Sequence, residues 1–389
     1  MSSVYINGYF KNDKIDTISK SFIFILMILG ENRLGVFGKM KFVYSLTIFI
    51  YCVCLSAIYG YLLLKEKTIL YFSNIVIMNV ASFIINNILA FIFCKKYREF
   101  FDELNSFDKK VGLKFNVCSS MILNVIVCCF IIVIDCIVNL MLYMKSFTTE
   151  ISMYMRVKNI VFVTELFSYG HMMMLLIQRL QYIKKTAISC LDRGIANSRR
   201  GNENQREYED TTELDMRKLV LLYDCIIKAY DTLNAAIKYQ FVLMLLESFF
   251  ANISFWNLFA IDVISQKFKW TKRGAQTAII FLTTLIPFFS PCYFASQIKD
   301  EVSIMRDNIR SNIHKLVEIT SNFSFLFFFA DKCKRKAITL LLSLTKIRTL
   351  SLSLFRMISV DILLPFKMLG YIATYLIVIM QFEKITGAN

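Results

Sequence analysis

Seven apolar stretches, each about 20 residues or longer, alternate with polar segments along this chain. About 20 apolar residues in a helix span the hydrocarbon core of a bilayer. The stretches occupy residues 42–64, 69–94, 117–144, 157–178, 239–262, 275–298 and 362–382. This pattern predicts an all-α membrane protein with seven transmembrane helices, whose two termini lie on opposite sides of the membrane.

Basic side chains predict which side each loop occupies. Most of the 45 Lys and Arg residues fall in the segments on the N-terminal side of the membrane. The short 95–116 segment alone carries more of them than any segment on the other side. Because cytoplasmic loops are enriched in Lys and Arg, we expect a cytoplasmic N-terminus and an extracellular C-terminus.

The polar segments divide the chain into four parts. Residues 1–41 form a cytoplasmic segment with an interfacial helix near 21–29; a cleaved signal peptide there would invert every later loop. Residues 42–298 contain the first six spans and a flexible cytoplasmic linker near 191–218. Residues 299–361 supply cytoplasmic anchor helices, because apolar residues at helical spacing continue beyond the sixth span. Residues 362–389 form the last span and a short extracellular tail.

The composition agrees with a multi-pass membrane protein. Hydrophobic residues make up 56% of the chain, charged residues only 19%, and the mean hydropathy is +0.53, which is more apolar than a soluble domain. The net charge of +16 follows largely from the basic inner segments. The protein is therefore expected to be surrounded by membrane lipid, and nucleic acid is not an expected partner.

The sequence contains no recognisable catalytic or metal-binding motif. His171 and His314 are its only histidines, and it has neither a glycine-rich phosphate loop nor a zinc-protease motif. No enzyme activity, metal or cofactor is expected, although Asp135, Glu165 and Glu247 leave an intramembrane enzyme as a weak alternative. The apolar run 323–329 is too short to cross a bilayer, and it is interpreted as a buried surface against the anchor helices.

A motif near the C-terminus resembles the signature of insect gustatory receptors. Thr374-Tyr375 and Gln381-Phe382 are separated by five apolar residues, as in that family. The preceding residues 355–364 also resemble the family, and their Arg-Met and Val-Asp pairs have the spacing of bitter-type members from moths and butterflies. The chain is thus identified as a member of the gustatory receptor family.

The resemblance implies a ligand-gated cation channel opened by a small-molecule tastant. It implies four subunits, in a homotetramer or a hetero-oligomer, which meet through the cytoplasmic ends of the later helices. The last helix of each subunit would line one central pore. The implied pore and gate residues are Tyr371, Thr374, Val378, Gln381 and Phe382, and Glu383 follows at the outer mouth.

Polar and aromatic residues within the spans predict a ligand pocket in the outer half of the bundle. Pairs at i,i+4 share one helix face, and Thr277, Phe281 and Thr284 also share one. The pairs are Asp135 with Asn139, Glu165 with Tyr169, and Asn252 with Trp256. Alternatively, each pair only joins helices by hydrogen bonds. Aromatic walls and two acids favour a plant-derived bitter compound, and Asp135 or Glu165 is a candidate partner for a protonated amine.

Three other classes remain as alternatives. A sugar-sensing receptor of the same family would need a pocket richer in polar groups. A G-protein-coupled receptor would need an extracellular N-terminus, and the chain lacks Asp-Arg-Tyr in the third span and Asn-Pro-x-x-Tyr in the seventh. A secondary transporter would show an internal repeat, which the sequence does not. Pro287 and Pro291 in the sixth span are expected to kink that helix.

Overall fold

The computed structural model describes most of the chain between residues 17 and 386. The described residues are 17–28, 73–112, 119–143, 149–200, 205–264, 273–320, 332–347, 350–354 and 358–386, with a few isolated positions between 50 and 61. The predicted first span at 42–64 and the apolar run 323–329 therefore lie outside the continuously described segments.

The described chain is almost entirely helical. Its helices are α1 (Thr17–Ile28), α2 (Ser73–Val111), α3 (Ser119–Tyr143), α4 (Thr149–Arg200), α5 (Gln205–Ile264), α6 (Arg273–Thr320), α7 (Lys332–Ile347) and α8 (Leu364–Thr386). Two short strands, β1 (Ser353–Leu354) and β2 (Ile358–Ser359), form an antiparallel hairpin before α8. The predicted all-α membrane fold is confirmed, whereas the side on which each terminus lies stays a prediction.

The two long helices α4 and α5 form the centre of the bundle. The most extensive packing joins α4 to α6 and α2 to α5, and α5 also contacts α7 and α8. Large side chains such as Leu166, Tyr223, Phe241 and Phe288 are fully buried in the resulting apolar core. Because α4 contacts α1, α3, α5 and α6, its polar residues face protein on nearly every side.

Four stretches of the described helices are long and apolar enough to span a bilayer. They are Ser119–Ile137, Lys158–Asp192, Arg217–Ser254 and Leu364–Phe382. These overlap four of the seven predicted spans. The predicted spans 69–94 and 275–298 are helical over their described parts, within α2 and α6. Helix α6 stays continuous through Pro287 and Pro291.

The structure differs from the sequence-based expectation at the linker predicted near 191–218. Helix α4 continues to Arg200 and α5 begins at Gln205, so only residues 201–204 separate the two helices. The segment contains no proline, and its five Arg and four Glu residues favour helix, so Gly194 within α4 is tolerated at a cost of about 1 kcal/mol.

The residues that precede α8 fix where that helix begins. In the hairpin, Leu354 pairs with Ile358, and the Val360 amide donates to the Leu352 carbonyl at 2.9 Å. The Leu363 amide then donates to Asp361 Oδ1 at 3.1 Å, which is the hydrogen bond of a helix N-cap. Val360 and Asp361, the Val-Asp pair of the sequence signature, thus connect the hairpin to the last helix.

Candidate ligand site and pore helix

Helices α5 and α6 bring together one group of the predicted ligand-site residues. Asn252 Nδ2 donates to Thr284 Oγ1 at 2.8 Å and to the Ser248 carbonyl at 2.8 Å. One turn further along, the rings of Trp256 and Phe281 meet edge to face, with centroids 6.0 Å apart. Asn252 is buried, and its amide joins the two helices, as in the helix-packing alternative. Thr277 lies on α6, but its side chain is outside the described part.

A second group forms around Glu165, where α2, α4 and α5 meet. The hydroxyl of Tyr169 donates to Glu165 Oε1, and Asn86 Nδ2 donates to Glu165 Oε2 at 2.6 Å. Tyr97 Oη donates to Gln240 Oε1 at 2.9 Å, and Tyr169 Oη lies 3.1 Å from the same oxygen. Glu165, Tyr169 and Gln240 are completely buried. The predicted proximity of Glu165 and Tyr169 is therefore present, and both carboxylate oxygens already accept hydrogen bonds.

The predicted residue Asp135 lies at the contact between α3 and α4. Its carboxylate is buried, and its Oδ1 accepts a hydrogen bond from Asn159 Nδ2 at 3.4 Å. Asn139 lies one turn further along α3, with its side chain outside the described part. The predicted ligand-site residues thus fall on three helix contacts, α3–α4, α2–α4–α5 and α5–α6.

A buried ion pair between α4 and α5 was not among the predicted site residues. The Lys158 ammonium contacts Glu247 Oε1, and the Ser82 hydroxyl donates to Glu247 Oε2. The Lys158 side chain is only 6% exposed and that of Glu247 only 11% exposed. Oppositely charged residues within two apolar spans were the available signal, because charges in spans are costly and usually functional.

The ion pair and the Glu165 group together form a continuous polar region, here called the polar seam. Along α4, Lys158 and Glu165 are two turns apart, and Gln240 and Glu247 have the same spacing on α5, so each pair lies on one helix face. The polar seam consists of Ser82, Asn86, Tyr97, Lys158, Glu165, Tyr169, Gln240 and Glu247.

A small cavity opens beside the ion pair. Its volume is about 20 Å³, and the empty space including its mouth is about 250 Å³. Four polar residues of the seam line it together with apolar side chains. The lining residues are Ser82, Phe83, Asn86, Lys158, Val161, Phe162, Met244 and Glu247.

The second predicted site, on α8, has a different environment. One face of its first half packs on the chain's own core through Leu364, Met368 and Ile372. The predicted pore residues instead remain uncovered within one chain. Tyr371 is 68% exposed and Phe382 65% exposed, and Thr374, Val378 and Gln381 are also exposed. The side chain of Glu383 is outside the described part.

Two comparisons with solved structures support the fold. The chain is similar to the insect olfactory receptor OR5 from Machilis hrabei in complex with eugenol, with 12% identity and a TM-score of 0.59 over 94% of this chain and 97% of that chain. A second OR5 structure from the same insect gives 15% identity and a TM-score of 0.58 over 93% and 97%. At these identities the likeness concerns the fold.

The sequence comparison identifies the family. No curated protein sequence matches the chain significantly. A family model described as 7tm Chemosensory receptor matches residues 30–386, nearly the whole chain. The chain therefore belongs to the 7tm chemosensory receptor family of insects, whose members are ligand-gated cation channels and not enzymes.

Proposed function

We propose that this protein is a gustatory receptor of the plasma membrane, which conducts cations without strong selectivity when a plant-derived bitter compound binds. The ligand would bind among the polar and aromatic residues between α3 and α6, and α8 would line the pore. The observation that carries this proposal is the uncovered polar face of α8. Polar groups in a bilayer face protein or water, and the described part of one chain leaves Tyr371, Thr374 and Gln381 exposed.

Four copies around a central axis would give the face of α8 an aqueous environment. Tyr371, Thr374, Val378 and Gln381 follow each other at intervals of three and four residues, which places them on one side of a helix. Four Phe382 rings can narrow and dewet a constriction, and a ring of Glu383 carboxylates favours cations. We therefore assign the gate to Gln381 and Phe382 and the outer cation ring to Glu383.

The proposed ligand class follows from the character of the bundle interior. Trp256 and Phe281 supply aromatic surface, while Asn252, Glu165 and Tyr169 supply a few hydrogen-bonding groups, a combination that suits small and partly apolar molecules. The OR5 structure holds eugenol, a small aromatic compound, so this fold admits ligands of that size. A sugar would need a denser array of polar groups than these contacts offer.

Whole-cell recording in a cell that contains no other receptor subunit tests the proposal. Purified plant compounds should open an inward cation current in cells that express this chain, and sugars at the same concentrations should not. A current opened by sugars alone would contradict the bitter assignment. A receptor that signals only through G proteins, with no current of its own, would contradict the channel.

The proposed orientation has a separate test. An N-terminal epitope tag should bind antibody only after permeabilisation, whereas a C-terminal tag should bind on intact cells. Staining of the N-terminal tag on intact cells would contradict both the orientation and the position of Glu383 at an outer mouth.

A further inference from the structure

The cavity beside the buried ion pair has the size of one small polar group. Its volume of about 20 Å³ accommodates about one water molecule, and an ammonium group has nearly the same size as water. A pocket for an entire drug-sized molecule has a volume of about 300 Å³ or more. The cavity as it stands therefore fits the polar head of a ligand, and the apolar remainder must fit along the mouth lined by Phe83, Val161 and Phe162.

The charges around the cavity favour a cationic head group. Among the described residues that line the cavity, Lys158 is the only basic one and Glu247 the only acidic one. Glu165, a second carboxylate, lies directly behind the lining residue Asn86, at 2.6 Å from its amide. If the Lys158 ammonium leaves, the described residues of the polar seam include two carboxylates and no basic side chain, so an arriving ammonium restores the balance.

Glu247 has a hydrogen-bond partner in addition to Lys158. Glu247 accepts from Ser82 as well as from Lys158, so it stays anchored when the lysine moves. Lys158 lies at the start of the span predicted at 157–178. A lysine side chain has a long flexible stem that lets its ammonium extend to a membrane boundary. Its departure would leave a hydrogen-bonding position vacant at the Glu247 carboxylate.

We propose that the activating ligand carries a protonated amine that replaces the Lys158 ammonium at Glu247. The proposal rests on the proposed function, in that a small ligand binds inside the helix bundle, and it names the chemical class and the residues that recognise it. Glu247 and Ser82 bind the ammonium, and Lys158 is an internal competitor that only a cationic head displaces. Both oxygens of Glu165 already accept hydrogen bonds, from Tyr169 and Asn86. In this proposal Glu165 is therefore a nearby negative charge, whereas the sequence had suggested it as the direct partner of the amine.

A matched set of three probes tests this exchange on the purified full-length protein in lipid nanodiscs. The probes are 2-phenylethylammonium, the neutral 2-phenylethanol and the anionic 3-phenylpropionate. The affinity for each probe is measured from the dependence of the protein's melting temperature on the probe concentration. The amine should bind the wild-type protein more tightly than the alcohol. Glu247→Gln should weaken amine binding about tenfold or more, because a charge-assisted hydrogen bond is lost. The affinity for 2-phenylethanol should stay unchanged.

Lys158→Met separates exchange from simple attraction. Removing the internal competitor should strengthen amine binding about tenfold, without changing the affinity for the alcohol. Amine and alcohol of equal affinity in the wild-type protein would overturn the proposal, as would amine binding that Glu247→Gln does not alter. Preferential binding of 3-phenylpropionate that Lys158→Met abolishes would show that the lysine is the recognition residue, and would also overturn it.

A double variant decides the question if a single variant does not fold. Lys158→Met with Glu247→Gln leaves no buried charge in the pair, and its affinity for the amine should fall to that for the alcohol; retained amine preference would overturn the proposal. Failure of the proposed function gives a different result, because then no plant compound opens a current in cells expressing the wild-type chain, whatever the three probes show in nanodiscs.

Discussion

Helices α4 and α8 both contain a stretch long enough to cross a bilayer, but their environments within one chain are opposite. In the 18-residue apolar segment of α4, 94% of the residues are buried in the folded chain, whereas in the corresponding segment of α8 only 22% are buried. On α4, the polar residues Glu165 and Tyr169 contact other helices of the same chain. On α8, Gln381 is exposed, and Thr374 donates only to the Gly370 carbonyl of its own helix at 2.9 Å.

The difference indicates two distinct uses of intramembrane polar groups. Glu165 and Tyr169 of α4 form hydrogen bonds inside one chain, so they belong to its fold and to the proposed ligand site. Those of α8 need water or a second chain, because a polar group facing lipid is unfavourable. Substitutions on α4 should therefore act first on the stability of the protein, and substitutions on α8 should act first on its currents.

The largest expected effect is the removal of one partner from the buried ion pair. Glu247→Leu removes one partner of the buried Lys158–Glu247 ion pair, which costs about 3–5 kcal/mol. The variant should show a strongly lowered melting temperature, measured on the fluorescently tagged protein by size-exclusion chromatography after heating.

Two further variants complete this comparison. The double change Lys158→Met with Glu247→Leu should recover most of the lost stability, because an apolar pair of similar volume replaces the two charges. Gln381→Leu on α8 should keep the wild-type melting temperature. A Gln381→Leu variant as unstable as Glu247→Leu would mean that both helices are packed alike.

Two helical glycines, Gly170 on α4 and Gly370 on α8, allow the same comparison of the two helices. A Cβ at Gly170 of α4 would overlap Ser290 Oγ and lie 3.3 Å from Phe294 Cδ2, and Ser290 Oγ already donates to Asn124 Oδ1 at 2.7 Å. Gly170→Ala should therefore destabilise the protein by about 1–3 kcal/mol, through overpacking and the loss of that hydrogen bond. Thermal unfolding of the purified protein measures the effect.

The control is Gly370 on α8, where an added Cβ meets nothing within 4 Å among the described residues. Gly370→Ala should keep or raise the melting temperature, since alanine stabilises a helix by up to about 1 kcal/mol relative to glycine. A marked destabilisation by Gly370→Ala would show that another surface packs closely against α8 at this point.

A smaller effect is expected where α8 begins. Asp361→Ala removes the acceptor of the Leu363 amide and should cost about 1 kcal/mol. Asp361→Asn keeps a side-chain oxygen at the N-cap and should lie close to the wild-type protein in melting temperature. Equal losses in the two variants would assign the role of Asp361 to its charge and not to capping.

The smallest effect on stability is expected at the end of α8. Glu383→Gln should leave the melting temperature unchanged and lower the unitary cation conductance, because it removes one carboxylate per subunit from the proposed ring. The ligand concentration for half-maximal current should not move. Single-channel recording measures both quantities, and equal conductance in the two proteins would remove the ring from the mechanism.

The sequence predicted features that depend on one helix better than features that depend on two. The i,i+4 rule placed Glu165 beside Tyr169, since this relation is internal to α4. The contacts of Glu165 with Asn86 and of Tyr169 with Gln240 depend on how three helices are rotated about their axes, which a single sequence does not specify. The same limit applies to Lys158 and Glu247, which lie 89 positions apart and whose pairing becomes evident only when α4 and α5 are packed.

The polar segment between the fourth and fifth spans shows a second limit. Its charge and its Gly194 favoured a flexible linker, but the helices continue through it to Arg200 and from Gln205. Local composition was outweighed there by the helix propensity of the neighbouring residues and by helices already formed on both sides.

Cysteine accessibility along α8 tests most directly whether its uncovered face lines the conducting pore. In cells with a ligand-evoked current, Gln381→Cys and Met368→Cys are compared with the wild-type chain, whose native cysteines set the baseline, during exposure to a cationic methanethiosulfonate reagent. We predict that the current through Gln381→Cys falls irreversibly, while Met368→Cys, buried on the opposite face, behaves as the wild-type chain does. Unchanged current in Gln381→Cys channels whose thiol is shown to be modified would contradict it.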